Sequence, residues 1–168
     1  FACKDDMPLE YRQDVLVFQT DPLEEDIEIT GFVEVRLFAS SSAADTDFTA
    51  KLLDVYPAND DYPNGFAMNL CDGIIRGRYR LGREKSVLME RGEISEFKIS
   101  LQATGNLFKI GHRIRLDISS SSFPQFDVNP NTGDPLWSSD KVIKAYQIIY
   151  HSMEYPSKVI LPVISRGE

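Results

Sequence analysis

In the segment Glu96-Phe-Lys-Ile-Ser-Leu101, apolar and polar residues alternate one by one. The same alternation occurs in Val33–Leu37 and in Arg113–Ile118. A period of two is typical of a β-strand that has one face against a core and the other in water. These three segments therefore predict half-buried strands, and an all-β fold is the first expectation.

Other parts of the chain agree with that expectation. Gly, Pro, Asn and Asp separate further segments with the composition of strands, namely Val15–Phe18, Phe48–Val55, Ile75–Leu81, Ala145–Tyr150 and Val159–Ile164. No segment carries a helical stripe of a dozen residues, and the best helical candidates, Ser138–Ala145 and part of Val87–Arg91, are short. Eight or nine strands in one domain predict two antiparallel sheets that pack face to face, most simply as a jelly-roll β-sandwich.

Length and charge exclude several classes of protein. With 168 residues, of which 42% are hydrophobic and 26% charged, the chain is predicted to form one globular domain. A net charge of −8 repels phosphate backbones and anionic headgroups, so neither nucleic acid nor a membrane is predicted as a partner. The sequence leaves the oligomeric state open, and a homo-oligomer is one of the alternatives.

The two cysteines, Cys3 and Cys71, do not form a CxxC pair, which argues against zinc-ribbon and thioredoxin-like sites. Two free thiols are the simpler expectation, although the sequence alone does not decide against a disulfide between them. Few cysteines and no recognisable leader favour the cytoplasm.

No catalytic residue, metal or cofactor is predicted in this chain. It has no Gly-x-Ser-x-Gly elbow and no HExxH motif. Of the two histidines, His112 is expected in an exposed turn and His151 in a structural hydrogen bond. The loop from Asp127 to Ser138 departs from a calcium-binding loop at its glycine and at its final ligand, so an Asx-rich turn is expected instead.

Two acidic residues precede a predicted strand at Asp45 and Asp47. Two carboxylates at that spacing face the same side of a strand, where they could form an acid–base pair. Arg76 and Arg78 alternate along another predicted strand and are suitable partners. We therefore favour structural ion pairs between these four residues.

The segment Ser119–Thr132 combines aromatic and polar residues. With Trp137, its two phenylalanines could form an exposed aromatic platform that binds a sugar or a protein. The candidates for an interdomain or cleft-facing surface are Phe123, Phe126, Asp127, Asn129, Asn131 and Trp137.

Several longer motifs occur in one order along the chain. They include Ser40-Ser-Ser-Ala-Ala-Asp-Thr-Asp-Phe-Thr-Ala-Lys-Leu-Leu-Asp54, Gly73-Ile-Ile-Arg-Gly-Arg-Tyr-Arg80, Ser119-Ser-Ser-Ser-Phe-Pro-Gln-Phe-Asp-Val-Asn-Pro-Asn-Thr-Gly133 and Pro156-Ser-Lys-Val-Ile-Leu-Pro162. This set resembles the C-terminal, non-catalytic domain of the cocaine-esterase and X-Pro dipeptidyl-peptidase family of serine hydrolases.

The resemblance implies a galactose-binding-like jelly roll over residues 12–168, preceded by an extension or linker over residues 1–11. It also implies a partner, the α/β-hydrolase catalytic domain of the same parent protein, which would cleave esters, amides or X-Pro peptides. The Ser-Asp-His triad of the family lies upstream of this domain, so none of its residues can be assigned here. We expect Ser119–Thr132 to face that catalytic domain and to wall its cleft. The alternative is a free-standing β-sandwich module that binds carbohydrate or protein.

Overall fold

The computed structural model describes residues 12–135, 138 and 140–165. Eight β-strands lie within these residues: β1 Val15–Gln19, β2 Ile27–Ser41, β3 Asp47–Tyr56, β4 Phe66–Arg76, β5 Ser95–Phe108, β6 Arg113–Ser119, β7 Gln147–Tyr150 and β8 Lys158–Ile160. A short 3₁₀ turn follows β4 at Gly77–Tyr79. Residues 1–11, and with them the predicted extension and Cys3, lie outside the described residues.

The strands form two antiparallel sheets. One sheet has the order β1-β6-β3-β4, and the other has the order β5-β2-β7 with β8 also paired to β2. Sequence neighbours are often separated in the sheets, since β3 pairs with β6 and β2 pairs with β5. The predicted all-β sandwich of two antiparallel sheets is confirmed, whereas the finer assignment to a galactose-binding-like jelly roll stays a prediction.

The core lies between the sheets and is built by the alternation seen in the sequence. Every second residue of β2 is buried there, namely Val33, Val35, Leu37 and Ala39. From β5 come Phe97, Ile99 and Leu101, and from β3 come Phe48, Ala50 and Leu52. The rings of Phe48 and Phe97 meet across the interface with centroids 4.6 Å apart. Both sheets therefore bury one apolar face, which neither could do alone.

A glycine allows the two sheets to meet along one side. A Cβ atom built on Gly73 of β4 would lie 2.4 Å from the backbone oxygen of Ser100 on β5. No real Cβ atom comes so close to a backbone oxygen, so only glycine lets β4 approach β5 at this point. The sandwich is therefore closed on its β4–β5 side.

We predict that Gly73→Ala destabilises the chain by about 1–3 kcal/mol, because the strands must separate to admit the methyl group. Gly105→Ala on β5 is the matched control, because its nearest atom, Oγ1 of Thr30, would lie 3.8 Å from the new Cβ. Urea denaturation of both variants measures the difference. Equal midpoints would show that the close approach is not a constraint.

One local prediction was wrong, and neither helical candidate forms a helix within the residues that the structure describes. The strand expected at Ile75–Leu81 is the end of β4 followed by the 3₁₀ turn, because Gly77 packs its backbone against Thr46 and donates a hydrogen bond to the Thr46 carbonyl at 2.7 Å. The described residues of the two helical candidates, Val87–Arg91 and Ser138–Ala145, contain no helix. Both segments are too short to form a helix without tertiary support.

Cys71 is a free thiol that is buried in the core on β4. Burial disfavours the thiolate and raises the pKa of Cys71 to about 11, with a smaller contribution from the neighbouring Asp72 carboxylate. In an unfolded chain a thiol loses its proton near pH 8.5. The contribution of Cys71 to stability is therefore complete below that pH and is lost as the pH rises toward 11.

We predict that the urea concentration at the unfolding midpoint decreases as the pH is raised from about 9 to about 10.5. The decrease is smaller in Cys71→Ala, because the variant has no thiol to ionise on unfolding. The comparison of the two pH profiles cancels the titration of lysine and tyrosine, which both proteins share. Parallel profiles would contradict the burial of a protonated thiol.

Candidate functional site

The first predicted ion pair joins Asp45 to Arg78. Oδ1 of Asp45 accepts a hydrogen bond from the Arg78 backbone N–H at 2.9 Å, and Oδ2 accepts one from Arg78 Nε at 2.8 Å. The Asp45 side chain is fully buried, and 8% of the Arg78 side chain is exposed. Nη2 of Arg78 also donates to the backbone oxygen of Asp134 at 2.9 Å.

The second pair lies beside the first and joins Asp47 to Arg76. Nε and Nη2 of Arg76 donate to the two carboxylate oxygens at 2.9 and 3.0 Å, in the bidentate arrangement that suits a guanidinium. These hydrogen bonds to Asp47 are the main reason why the pKa of the Arg76 guanidinium lies above its ordinary value. The carboxylate is buried and the guanidinium is mostly buried.

Asn129 connects the two ion pairs. The prediction that it lies at the surface was wrong. It is 4% exposed, and its Nδ2 donates to Asp45 Oδ2 at 3.1 Å and to Asp47 Oδ1 at 2.7 Å. The reason is chemical, because an amide is the side chain that can donate to two adjacent carboxylates without adding charge. Its Oδ1 accepts from the backbone N–H of Asn131 at 2.9 Å.

These five residues, Asp45, Asp47, Arg76, Arg78 and Asn129, form what we call the carboxylate clamp. Each of the four carboxylate oxygens accepts at least one hydrogen bond, so the negative charge is fully compensated. An acid–base pair needs a carboxylate oxygen that a substrate can reach, whereas all four oxygens of these buried carboxylates already accept hydrogen bonds within the fold. The clamp therefore holds the 127–135 loop against β3 and the end of β4.

We predict that Asp45→Asn destabilises the chain by about 3 kcal/mol or more, because it leaves the buried Arg78 guanidinium without its counter-ion. The matched control is Asp127→Asn, an exposed residue of the same loop, for which the change is below about 0.5 kcal/mol. Urea denaturation measures both. An Asp45→Asn variant as stable as the control would show that the pair contributes no stability.

The remaining surface candidates divide by exposure. Phe123 is 66% exposed and the nearby Val128 is 57% exposed. Asp127 is also exposed, whereas Phe126 is half-buried. Asn131 is half-buried and donates from Nδ2 to the backbone oxygen of Ile143 at 3.0 Å, so it holds the loop rather than facing outward. Trp137 lies outside the described residues, so its place in an aromatic platform stays a prediction.

Phe123 forms one wall of a small polar pocket on the outer face of the β1-β6-β3-β4 sheet. The pocket has a volume of about 230 Å³, and its lining includes Thr49, Lys51, Asp117 and Ser122. Ser122 is 7% exposed, and its Oγ has no hydrogen-bond partner within the part of the chain that the structure describes. A buried hydroxyl without a partner costs free energy. The pocket is therefore suited to a polar group from outside these residues.

A buried cluster that the sequence analysis missed lies at one end of the core. Asp54 is fully buried, and its carboxylate contacts Nδ1 of His112 at 2.8 Å and Nδ2 of Asn106 at 3.0 Å. The ring of Tyr56 lies over the imidazole with centroids 4.3 Å apart. The signal was present, because the period of two places Asp54 on the same face of β3 as Ala50 and Leu52.

The expectation for His112 was therefore wrong, because the residue is buried and not in an exposed turn. Its partner comes from another strand 58 positions away, which local sequence does not reveal. His151 is exposed, and its ring lies edge-on to Phe18 with centroids 6.3 Å apart. Among the described residues, no group of three His, Cys, Asp or Glu side chains could hold a metal, and no helix could span a membrane.

Comparison with known proteins assigns the family. The model of the X-Pro dipeptidyl-peptidase C-terminal non-catalytic domain matches residues 5–160. The chain belongs to this family. The resemblance found in the sequence is thereby confirmed, and the chain is a non-catalytic C-terminal domain of the kind found in these hydrolases.

Relatives agree on the domain and on its share of a longer protein. Cocaine esterase from Rhodococcus sp. (strain MB1 Bresler) is 46% identical over 164 residues, which cover 96% of this chain and 28% of the esterase. The structure of an α-amino acid ester hydrolase superposes with a TM-score of 0.88 at 36% identity, over 93% of this chain and 26% of that enzyme. An aminopeptidase from a Thaumarchaeota archaeon gives 0.87 at 35% identity, over 92% and 26%. The chain thus spans about a quarter of each relative.

Proposed function

We propose that this chain is the accessory domain of a larger serine hydrolase, which cleaves ester or amide bonds with a triad outside these residues. The observation that carries the proposal is the 46% identity to an esterase of which the chain covers 28%. The domain adds rigidity and part of the cleft wall, while acyl transfer proceeds through the distant serine.

The chemistry of the described residues supports this division of labour. Nδ1 of His112 is bonded to a buried carboxylate, and His151 lies against a phenylalanine ring. A serine or cysteine nucleophile of a hydrolase triad needs its hydroxyl or thiol within hydrogen-bond reach of a base. In the described part of the chain neither histidine ring has such a partner, and the thiol of Cys71 is protonated in the core.

We propose further that the loop from Ser119 to Thr132 faces the catalytic domain. Phe123 and Val128 expose apolar surface on this loop, which the carboxylate clamp holds at Asn129. The pocket beside Phe123 contains the Ser122 hydroxyl, which has no hydrogen-bond partner among the described residues. Apolar anchors next to a polar group that lacks a partner are typical of a surface covered in a larger assembly.

We predict that the full-length protein hydrolyses a simple aryl ester, that a serine-directed fluorophosphonate abolishes this activity, and that the 168-residue chain has none. The reason is that the nucleophile and its base lie outside the chain. Release of the phenol, followed spectrophotometrically with and without the inhibitor, measures all three. Ester hydrolysis by the isolated chain, or activity that survives the inhibitor, would contradict the proposal.

We predict that Phe123→Asp lowers kcat/KM of the full-length protein about 10- to 100-fold, because a displaced cleft wall misplaces the substrate. The matched control is Phe32→Asp on β2 of the other sheet, where the side chain is 77% exposed and no contact with the catalytic domain is proposed. Steady-state kinetics on the same ester compare the two. Equal kcat/KM values for both variants would place the cleft elsewhere.

A further inference from the structure

The side of the sandwich opposite β4 and β5 is open. Here β1 and β6 of one sheet stand apart from β7 and β8 of the other, and a groove of about 450 Å³ lies between them. Its walls are apolar side chains of the core, including Val35, Leu37, Ile114, Leu116, Ile118 and Ile149. Val35, Leu37 and Ile118 at its base are at most 3% exposed, whereas Ile114, Leu116 and Ile149 are only half-buried. A segment that filled the groove would complete the burial of these three side chains.

The strand at the mouth of the groove has a free edge. Within the described residues β1 pairs with β6 alone. The Thr20 N–H donates a hydrogen bond to the Ile114 carbonyl at 3.0 Å. Because hydrogen-bonded and non-hydrogen-bonded residues alternate along an antiparallel pair, this bond fixes which amides of β1 face β6. The amides of Leu16 and Phe18 accordingly point to β6, and those of Val17 and Gln19 point away from it.

Two apolar side chains of this edge strand are also only partly covered. Leu16 and Phe18 face the groove side of β1, yet they are 45% and 40% exposed. A bare edge with apolar side chains is a template for another strand, and such edges are usually blocked by charge, proline or a covering segment. In Val15–Gln19 there is neither a charge nor a proline.

We propose that an extended, apolar segment of the same polypeptide, from the part that precedes this chain, adds to the free edge of β1 and fills the groove. The proposal rests on the proposed function only in requiring a longer protein. Recognition would be strand addition, in which backbone hydrogen bonds give affinity and alternate side chains enter the apolar groove.

Position and length favour this occupant. Members of this family are C-terminal domains, and the chain covers 28% of the Rhodococcus relative. Most of a protein built like that relative therefore precedes this domain. The polypeptide that leads into β1 passes Gln13 and Asp14, which line a smaller pocket together with Leu16 and Ile149. A segment that precedes residue 1 is joined to β1 through only the 14 residues before Val15, a short tether that gives it a high effective concentration at the groove.

Site-resolved amide hydrogen exchange of the full-length protein and of the 168-residue chain tests the proposal. We expect the amides of Val17 and Gln19 to exchange about 100-fold or more slowly in the full-length protein than in the chain, because only there do they meet a carbonyl partner. The amides of Leu16 and Phe18 are the internal control, since β6 protects them in both proteins.

Rapid exchange of Val17 and Gln19 in both proteins would overturn the proposal, because the edge would then stay bare. Slow exchange in both would also overturn it, because the chain would then close its own edge, through a second copy or otherwise. The result is independent of catalysis. If the full-length protein lacked hydrolase activity but protected these two amides, the proposed function would be contradicted and the strand-addition proposal would still be supported.

Discussion

In a sandwich of two sheets, each sheet buries its apolar face only where the other sheet lies close against it. In this domain the requirement is met on one side, where Gly73 lets β4 approach the backbone of β5. On the other side the sheets diverge, and the half-buried Ile114, Leu116 and Ile149 line a groove of about 450 Å³. The open side is where we propose that a segment of a longer protein adds to β1 and covers these side chains.

The carboxylate clamp acts at a second place, the end of β4. Paired arginines and a bridging amide hold the 127–135 loop against buried carboxylates. Buried pairs of this kind add little net stability compared with apolar residues, but the loss of one partner is strongly destabilising because it leaves a buried charge unpaired. The clamp therefore holds Asn129 firmly, and with it the neighbouring Val128, which we propose to face the catalytic domain.

The alternation of apolar residues was enough to predict β2, β5 and β6, because each of these strands has one apolar face in the core. The strand β3 was predicted from its composition instead, because most of its residues from Asp47 to Asp54 are buried on both faces. The same rule failed at Ile75–Leu81, because the 3₁₀ turn at Gly77–Tyr79 keeps an alternating pattern of arginines while the chain leaves the sheet. The arginines still reach the two aspartates that were named as their partners. Asn129 and His112 were assigned to the wrong environment, since their partners lie 82–84 and 58 positions away and are brought together only by the fold.

We propose above all that this domain belongs to a longer serine hydrolase whose nucleophile lies outside it. The most direct measurement is to label the native source material with a serine-directed fluorophosphonate and determine the mass and labelled position of the polypeptide that contains this sequence. The account predicts a labelled polypeptide several times heavier than 19.0 kDa, with the modified serine outside residues 1–168. A native polypeptide of about 19.0 kDa, or a label on a serine of this chain, would contradict it.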